Sequence, residues 1–185
     1  MGASKSTASQ QASPQAAPTV RHRRTDVIDR AIVVLDEQGL DEWSMRRLAA
    51  DLGVQPSALY HHFSGKDELM AAVADELLRR GRRPAEIVTW ESELRLVSVE
   101  LRDAMRSHRD AAELIAAVHT RGVGAQEPLR RMAGALQRAG ADDELARVGA
   151  STLLHFVFAH VSDDDRDFAL GLDIVLDGLT ARLVR

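Results

Sequence analysis

The sequence predicts an all-α fold: three short helices, a fourth that connects, and a larger all-helical domain behind them. Three observations predict it. Apolar residues recur at helical spacing at both ends of the chain. Ile28, Ala31, Ile32 and Leu35 stand at i, i+3, i+4 and i+7, and Phe168, Leu172, Val175, Leu176, Leu179 and Leu183 form a comparable stripe. No segment shows sustained two-residue alternation between hairpin signals, so no sheet is expected. Gly39, Gly53 and Gly140 fall where periodic segments stop, and Pro84 marks a boundary between the two parts.

Residues 1–20 are rich in Ser, Ala, Gln and Pro and carry one charge, Lys5. Such a segment buries too little apolar surface to order itself, so a disordered tail is expected. Arg21, His22, Arg23 and Arg24 come next. They read either as a solvated charge run or as an arm reaching DNA phosphates or the minor groove. Thr25 is the expected cap of the first helix, and Trp43 is the expected core residue tying it to the next two.

Residues 44–66 are the stretch around which the chain is organised. Leu48, Ala49 and Leu52 share one face of a short helix, and Gly53 suits a left-handed stop. Gln55 can cap the next helix, and Pro56 fits its first position, where a missing N–H costs nothing. Leu59 and Phe63 give that helix its apolar pair. Helix, glycine turn and short helix make a helix-turn-helix, with Ser57, Tyr60, His61 and His62 left to hydrogen-bond outward. Ser64 is the expected cap of a fourth helix with Leu69, Val73 and Leu77 inward. Its end carries Arg79, Arg80, Arg82 and Arg83, which complement the helix dipole. The helix-turn-helix unit is placed at 21–66, the connecting helix at 67–83 and the second domain at 84–185.

In that second domain helices are expected at 90–107, 110–118, 127–139, 142–161 and 165–183, with Thr89, Asp110 and Asp142 as N-caps. The fourth of these offers Leu153, Leu154, Phe156, Val157 and Phe158 on more than one face. A helix apolar on several sides must be buried on several sides. A four-helix bundle formed with a second copy, through Leu153, Phe156, Val157, Leu172, Val175 and Leu179, meets that need. Gly171 and Gly178 would permit close helix approach.

Composition narrows the function classes. The chain of 185 residues has 45% hydrophobic and 28% charged residues, a globular profile. It has no cysteine, which excludes disulfides and thiolate metal sites. No apolar run reaches the ~20 residues of a membrane helix, and no signal-peptide pattern opens the chain, so a cytoplasmic setting is expected. The net charge of -4 divides unevenly: residues 1–83 carry 12 Lys+Arg against 11 Asp+Glu, and residues 84–185 carry 12 against 17. A small basic footprint on an acidic body is compatible with DNA binding and limits indiscriminate sticking.

The run A-x-D-L-G-V-x-P-S-A-L-Y-H-H-F-S-G-K-D-E-L over 49–69 resembles the DNA-binding motif of the tetracycline-repressor (TetR) family of transcriptional regulators. Trp90 with Leu94 and Arg95, S-H-R-D at 107–110, His155-Phe156 and F-A-L-G-L-D-I-V-L-D-G-L at 168–179 resemble the tetracycline-repressor branch. The resemblance runs from about Thr25 to the C-terminus. It implies an N-terminal helix-turn-helix DNA-binding domain joined by a fourth helix to an all-helical ligand-binding and dimerisation domain. It further implies a homodimer that binds a palindromic double-stranded DNA operator and leaves it when a small-molecule effector enters. Two recognition helices must then meet major grooves about 34–36 Å apart, which requires two-fold symmetry.

The resemblance implies DNA-facing roles for Ser44, Arg46, Gln55, Ser57, Tyr60, His61 and Lys66. Their chemistry agrees: Arg46 can grip phosphate or read a guanine edge, and Gln55 and Ser57 can reach base edges. Tyr60, His61 and Lys66 suit phosphates. His62 either joins them or packs and caps; Pro56 and Ala58 offer apolar contact. In the ligand domain, the shared landmarks put Val97, Leu101 and Ile115 where the tetracycline repressor has an asparagine, a phenylalanine and a metal-binding histidine. An aliphatic Ile115 cannot ligate a metal, so no metal and no cofactor are expected, and His119 could substitute only one turn along the same face. The expected pocket is apolar, lined by Val97, Leu101, Met105, Ile115, Val118 and Leu154, with His119 or His155 as polar anchors. No nucleophile–base pair or phosphate loop stands out, so an enzyme is not expected. A helical protein–protein interaction module without specific DNA binding is the alternative.

Overall fold

A computed structural model describes residues 22–183. The expected tail at 1–20 and Arg21 lie outside the described residues. The described residues form nine helices and no strand: α1 (Arg24–Gln38), α2 (Met45–Asp51), α3 (Pro56–Tyr60), α4 (Lys66–Arg80), α5 (Trp90–Arg106), α6 (Ala111–Thr120), α7 (Glu127–Arg138), α8 (Asp143–Ala159) and α9 (Asp165–Leu183).

Helices α1 to α3 close over one apolar centre. Ile28, Ala31, Ile32 and Leu35 of α1 meet Leu48 of α2, Leu59 of α3 and Phe63, all buried. Trp43 fills the middle, 2% exposed, and its indole N–H donates to the Ala31 carbonyl at 3.2 Å, satisfying the one polar atom it buries. Helix α4 lies against α1 through Leu69 and Val73 and continues into the second part, where it packs on α5 and α6. There α5 is central, touching α4, α6, α7 and α8, while α7 pairs with α8 and α9 lies on α8. Its Arg102 is 5% exposed and tied to the turn before α9. It stacks 4.2 Å over the Phe168 ring, donates to the Val161 and Asp163 carbonyls, and pairs with Asp165 at 2.8 Å.

Two expected caps are replaced, and a third keeps its position without the cap bond. Thr25 lies inside α1, whose N-cap is Arg23; the Arg23 N–H donates to the Asp26 carboxylate at 2.7 Å. Ser64 does not cap α4. Gly65 is its N-cap, and Glu68 reaches back to accept the Ser64 N–H at 2.7 Å. That bond, then the Ser64 side chain and Arg24, hold the Glu68 carboxyl below its ordinary pKa. Asp110 is the N-cap residue of α6, in a left-handed conformation at φ +55°, but its carboxylate accepts the Leu40 N–H at 2.9 Å and none from its own helix. Thr89 and Asp142 cap α5 and α8, accepting N–H bonds from Ser92 and Leu145.

Candidate nucleic-acid interface

The site begins with Ser44, whose hydroxyl caps α2 by accepting the Arg47 N–H at 3.3 Å. That leaves Arg46 and Arg47 exposed on the first turn. After α2, Gly53 adopts φ +67°, and a Cβ there would meet nothing within 4 Å, so backbone conformation alone requires the glycine. The Val54 N–H returns to the Ala49 carbonyl at 3.0 Å, closing the turn. Gln55 is the N-cap residue of α3 by backbone, but its side chain makes no cap bond; it is exposed. Pro56 opens α3, and Leu59 and Phe63, 1% and 0% exposed, root it in the core.

Rooting that side turns the others outward. Ser57, Tyr60 and His61 are exposed, as is Lys66 at the start of α4, while Pro56 and Ala58 are half-buried on the same helix. The structure thus brings Gln55, Ser57, Tyr60, His61 and Lys66 to the recognition segment's surface, with Arg46 and Ser44 at the start of α2. His62 stands apart: half-buried, its Nε2–H donates to the His22 carbonyl at 3.1 Å. Of the basic run before α1, Arg24 lies 4.5 Å over the Phe63 ring and pairs with Glu68 at 3.5 Å.

Each expected apolar effector contact is located in the core: Val97, Leu101, Met105, Ile115, Val118 and Leu154 are all 4% exposed or less. The void bordering Val97 and Leu101 measures about 10 Å³, room for about one water. The two histidines stand at the margin. His119 Nδ1–H donates to the Ala125 carbonyl at 3.0 Å, and exposed His155 bonds the Ser151 carbonyl at 2.7 Å. Both rings meet Phe158 edge-on.

The expected dimer residues divide. Leu153, Val157 and Leu172 are buried within the protomer, at 1% exposure or less, because α8 and α9 spend those faces on each other and on the core. Leu179 is 6% exposed; it and Val175 border a groove of about 550 Å³ between α8 and α9, with Leu145, Val148, Thr152 and Ile174. Phe156 is half-buried under Gly171, where a Cβ would meet its ring at 2.7 Å; at Gly178 a Cβ would meet nothing. The outward apolar residues are instead Val148, Leu170 and Ile174, the last 65% exposed.

Sequence reasoning also missed two joints to the body, one from the helix-turn-helix unit and one from α4. Asp36 accepts from His108 Nδ1 at 2.7 Å and from the Arg109 N–H at 3.0 Å, beside the Asp110–Leu40 bond. Further along, Asp75 of α4 accepts the Ala125 N–H at 2.8 Å, Arg121 pairs with Asp67, and Gly124 abuts Ala71 so closely that a Cβ would lie 2.9 Å from it. The polarity of the S-H-R-D run is the one signal that could have found the first joint; nothing local signals the second.

Two family models match this arrangement: "Bacterial regulatory proteins, tetR family" over residues 27–73, and "Tetracyclin repressor-like, C-terminal domain" over 83–165. The chain belongs to the TetR family of bacterial regulatory proteins. Among individual relatives, BioQ of Mycobacterium smegmatis is 34% identical, with a TM-score of 0.79 over 86% of this chain and 98% of that one. A crystal structure of BioQ with its natural double-stranded DNA operator is 36% identical, TM-score 0.76, covering 86% and 99%. ActR of Streptomyces coelicolor in complex with actinorhodin is 26% identical, TM-score 0.75, covering 88% and 97%. The class D tetracycline repressor protein of Escherichia coli is 37% identical over 97 residues, 51% of this chain. The chain thus spans less than half, 44%, of that curated relative.

Proposed function

We propose that this regulator is a ligand-responsive repressor that binds a palindromic operator as a homodimer and is released by a small, largely apolar effector. The observation that carries the DNA reading is the division of α3. Leu59 and the adjoining Phe63 are sunk in the core, while Ser57, Tyr60 and His61 stand exposed with Gln55, Arg46 and Lys66 around them. A short helix rooted on one side and hydrogen-bonding on the other fits a major groove, base edges meeting Gln55 and Ser57 and phosphates meeting Tyr60, His61 and Lys66. The operator-bound BioQ supports the reading, since that protein shares the fold and 36% of its residues with this one.

The homodimer rests on the outward apolar residues Val148, Leu170 and Ile174 beside the α8–α9 groove. The apolar effector rests on the aliphatic lining from Val97 to Leu154, which offers a magnesium chelate no ligand at Ile115. The complex of ActR with actinorhodin supports a small-molecule effector for a related fold. An effector entering here must push apart side chains that are now fully packed, each 4% exposed or less, and the two joints to the body, from Asp36 and from α4, are where that displacement would reach the DNA side.

The test is binding to the chain's own upstream intergenic DNA at several salt concentrations, against random duplex. Preference for the upstream DNA with a linear log K against log salt dependence is expected; equal affinity for both removes the repressor. Thermal-shift screening with hydrophobic metabolites and antibiotics, with and without magnesium, tests the effector. Stabilisation by tetracycline only with magnesium would sink the apolar pocket.

A further inference from the structure

Two histidines near the recognition helix make hydrogen bonds that DNA contact does not require. His22 Nε2–H donates to the Leu52 carbonyl at 3.2 Å, thirty positions along the chain, and His62 Nε2–H donates to the His22 carbonyl at 3.1 Å. Carbonyl oxygens only accept, so each ring carries a proton on Nε2 and the direction of both bonds is fixed. Leu52 is the C-cap residue of α2, where a helix leaves carbonyls without partners. His22 stands one residue before the N-cap of α1, and His62 two residues after the end of α3. The two imidazoles therefore form a chain joining the exit of α2, the entry of α1 and the exit of α3. Both rings are half-buried, so these bonds are made partly away from water.

Helix α3 needs such a tie. It has five residues, about a turn and a half, too short to hold itself, and its apolar anchors Leu59 and Phe63 lie on one side. Those anchors fix its depth and leave its swing about that side to other contacts. Arg24 over Phe63 and Glu68 at the Ser64 N–H brace the same end from α1 and α4.

We propose that His22 and His62 are positioning residues for DNA reading: acting as one unit, they set the angle of α3 against α2 without touching a base. The proposal rests on the DNA reading above. It also resolves the role of His62, which contacts the segment before α1 and leaves base and phosphate contact to its neighbours.

The test uses the full chain with His22→Ala, His62→Phe, the double variant and His62→Gln. The probes are a duplex enriched by the unmodified protein from a random library and a scrambled duplex of equal length. Each single variant is expected to lower preference for the enriched duplex roughly tenfold, the order of one net hydrogen bond. The salt slope should not change. The double variant should lose no more than either single, because breaking either link releases the chain. His62→Gln, which keeps an amide donor, should recover most of the preference. Losses that multiply in the double variant overturn the unit, and a salt slope reduced by about one in His62→Phe makes His62 a phosphate contact instead. A second measurement needs no DNA: hydrogen exchange at the amides of His62 and Phe63, both bonded to the Leu59 carbonyl. It should accelerate in both singles while thermal unfolding stays put; unchanged exchange overturns the proposal. If the unmodified protein enriches no sequence at all, the DNA reading fails, and the exchange experiment still decides the pair.

Discussion

Helices α3 and α9 solve opposite problems. The recognition helix has five residues, Leu59 and the adjoining Phe63 as buried anchors, and Ser57 and Tyr60 exposed. The last helix has nineteen; it buries Phe168, Leu172, Leu176 and Leu179 inward and still shows Leu170 and Ile174 to the outside. A short helix whose outer face must stay free cannot be held by burial alone; the Gly53 turn and Pro56 set its entry, and the proposed histidine pair ties its exit. A long helix with apolar residues on a second side carries more than its own chain covers, and Ile174 of that surplus lines a groove. The difference teaches where each proposed function would sit: on α3 in what the core leaves out, on α9 in what the core does not use.

That contrast can be broken most severely at the root of α3. Phe63→Ala should cost roughly 3–5 kcal/mol in denaturant unfolding and abolish DNA binding, whereas Ile174→Asp should leave protomer stability within about 0.5 kcal/mol and shift sedimentation toward the single chain. An Ile174→Asp protein that unfolds like Phe63→Ala would show that the outer face of α9 belongs to the protomer core. Within the reading face, Gln55→Ala should change sequence preference by about 1–3 kcal/mol at one position, while Arg46→Ala should weaken all duplexes alike and lower the salt slope by about one. The reverse pattern, scored by competition binding, would exchange the two roles.

A smaller effect separates two left-handed glycines. Gly39→Ala adds strain at φ +82° and a Cβ 2.7 Å from the Asp110 carboxylate; Gly53→Ala adds strain at φ +67° in open space. Gly53→Ala should cost about 1–2 kcal/mol and Gly39→Ala more, by thermal melts of the two. The smallest is acid sensitivity. The Arg79 guanidinium, and then Arg80, hold the Glu76 carboxyl down at about 2 from 4.5. A depressed carboxylate stabilises the fold above its unfolded pKa and loses that stabilisation as pH falls through the folded one. The Glu76→Gln protein should therefore lack one component of the stability decline between about pH 4.5 and 2, by denaturation across that range; identical pH profiles would remove it.

The helix-turn-helix was legible because its signals are local. Gly53, Pro56, Leu59 and Phe63 lie within eleven residues, and each acts on its immediate neighbours. Helix boundaries in the body were legible for the same reason. What could not be read was pairing over distance: Asp110 turning from its own helix to Leu40, seventy positions away, or His62 turning to His22. The α8 and α9 stripes were legible as apolar, but a stripe does not say which side meets its own chain. Leu153, Val157 and Leu172 went inward and left Ile174 outside, since α8 already meets three intrachain neighbours, α5, α7 and α9.

The central claim is that two such reading helices are presented together. The most direct measurement is sedimentation of the protein with a labelled duplex carrying its upstream site, over a titration to saturation. Two chains on each duplex are expected, with protected half-sites about 34–36 Å apart, and loss of that species on Ile174→Asp. A saturated complex holding one chain per duplex would contradict it.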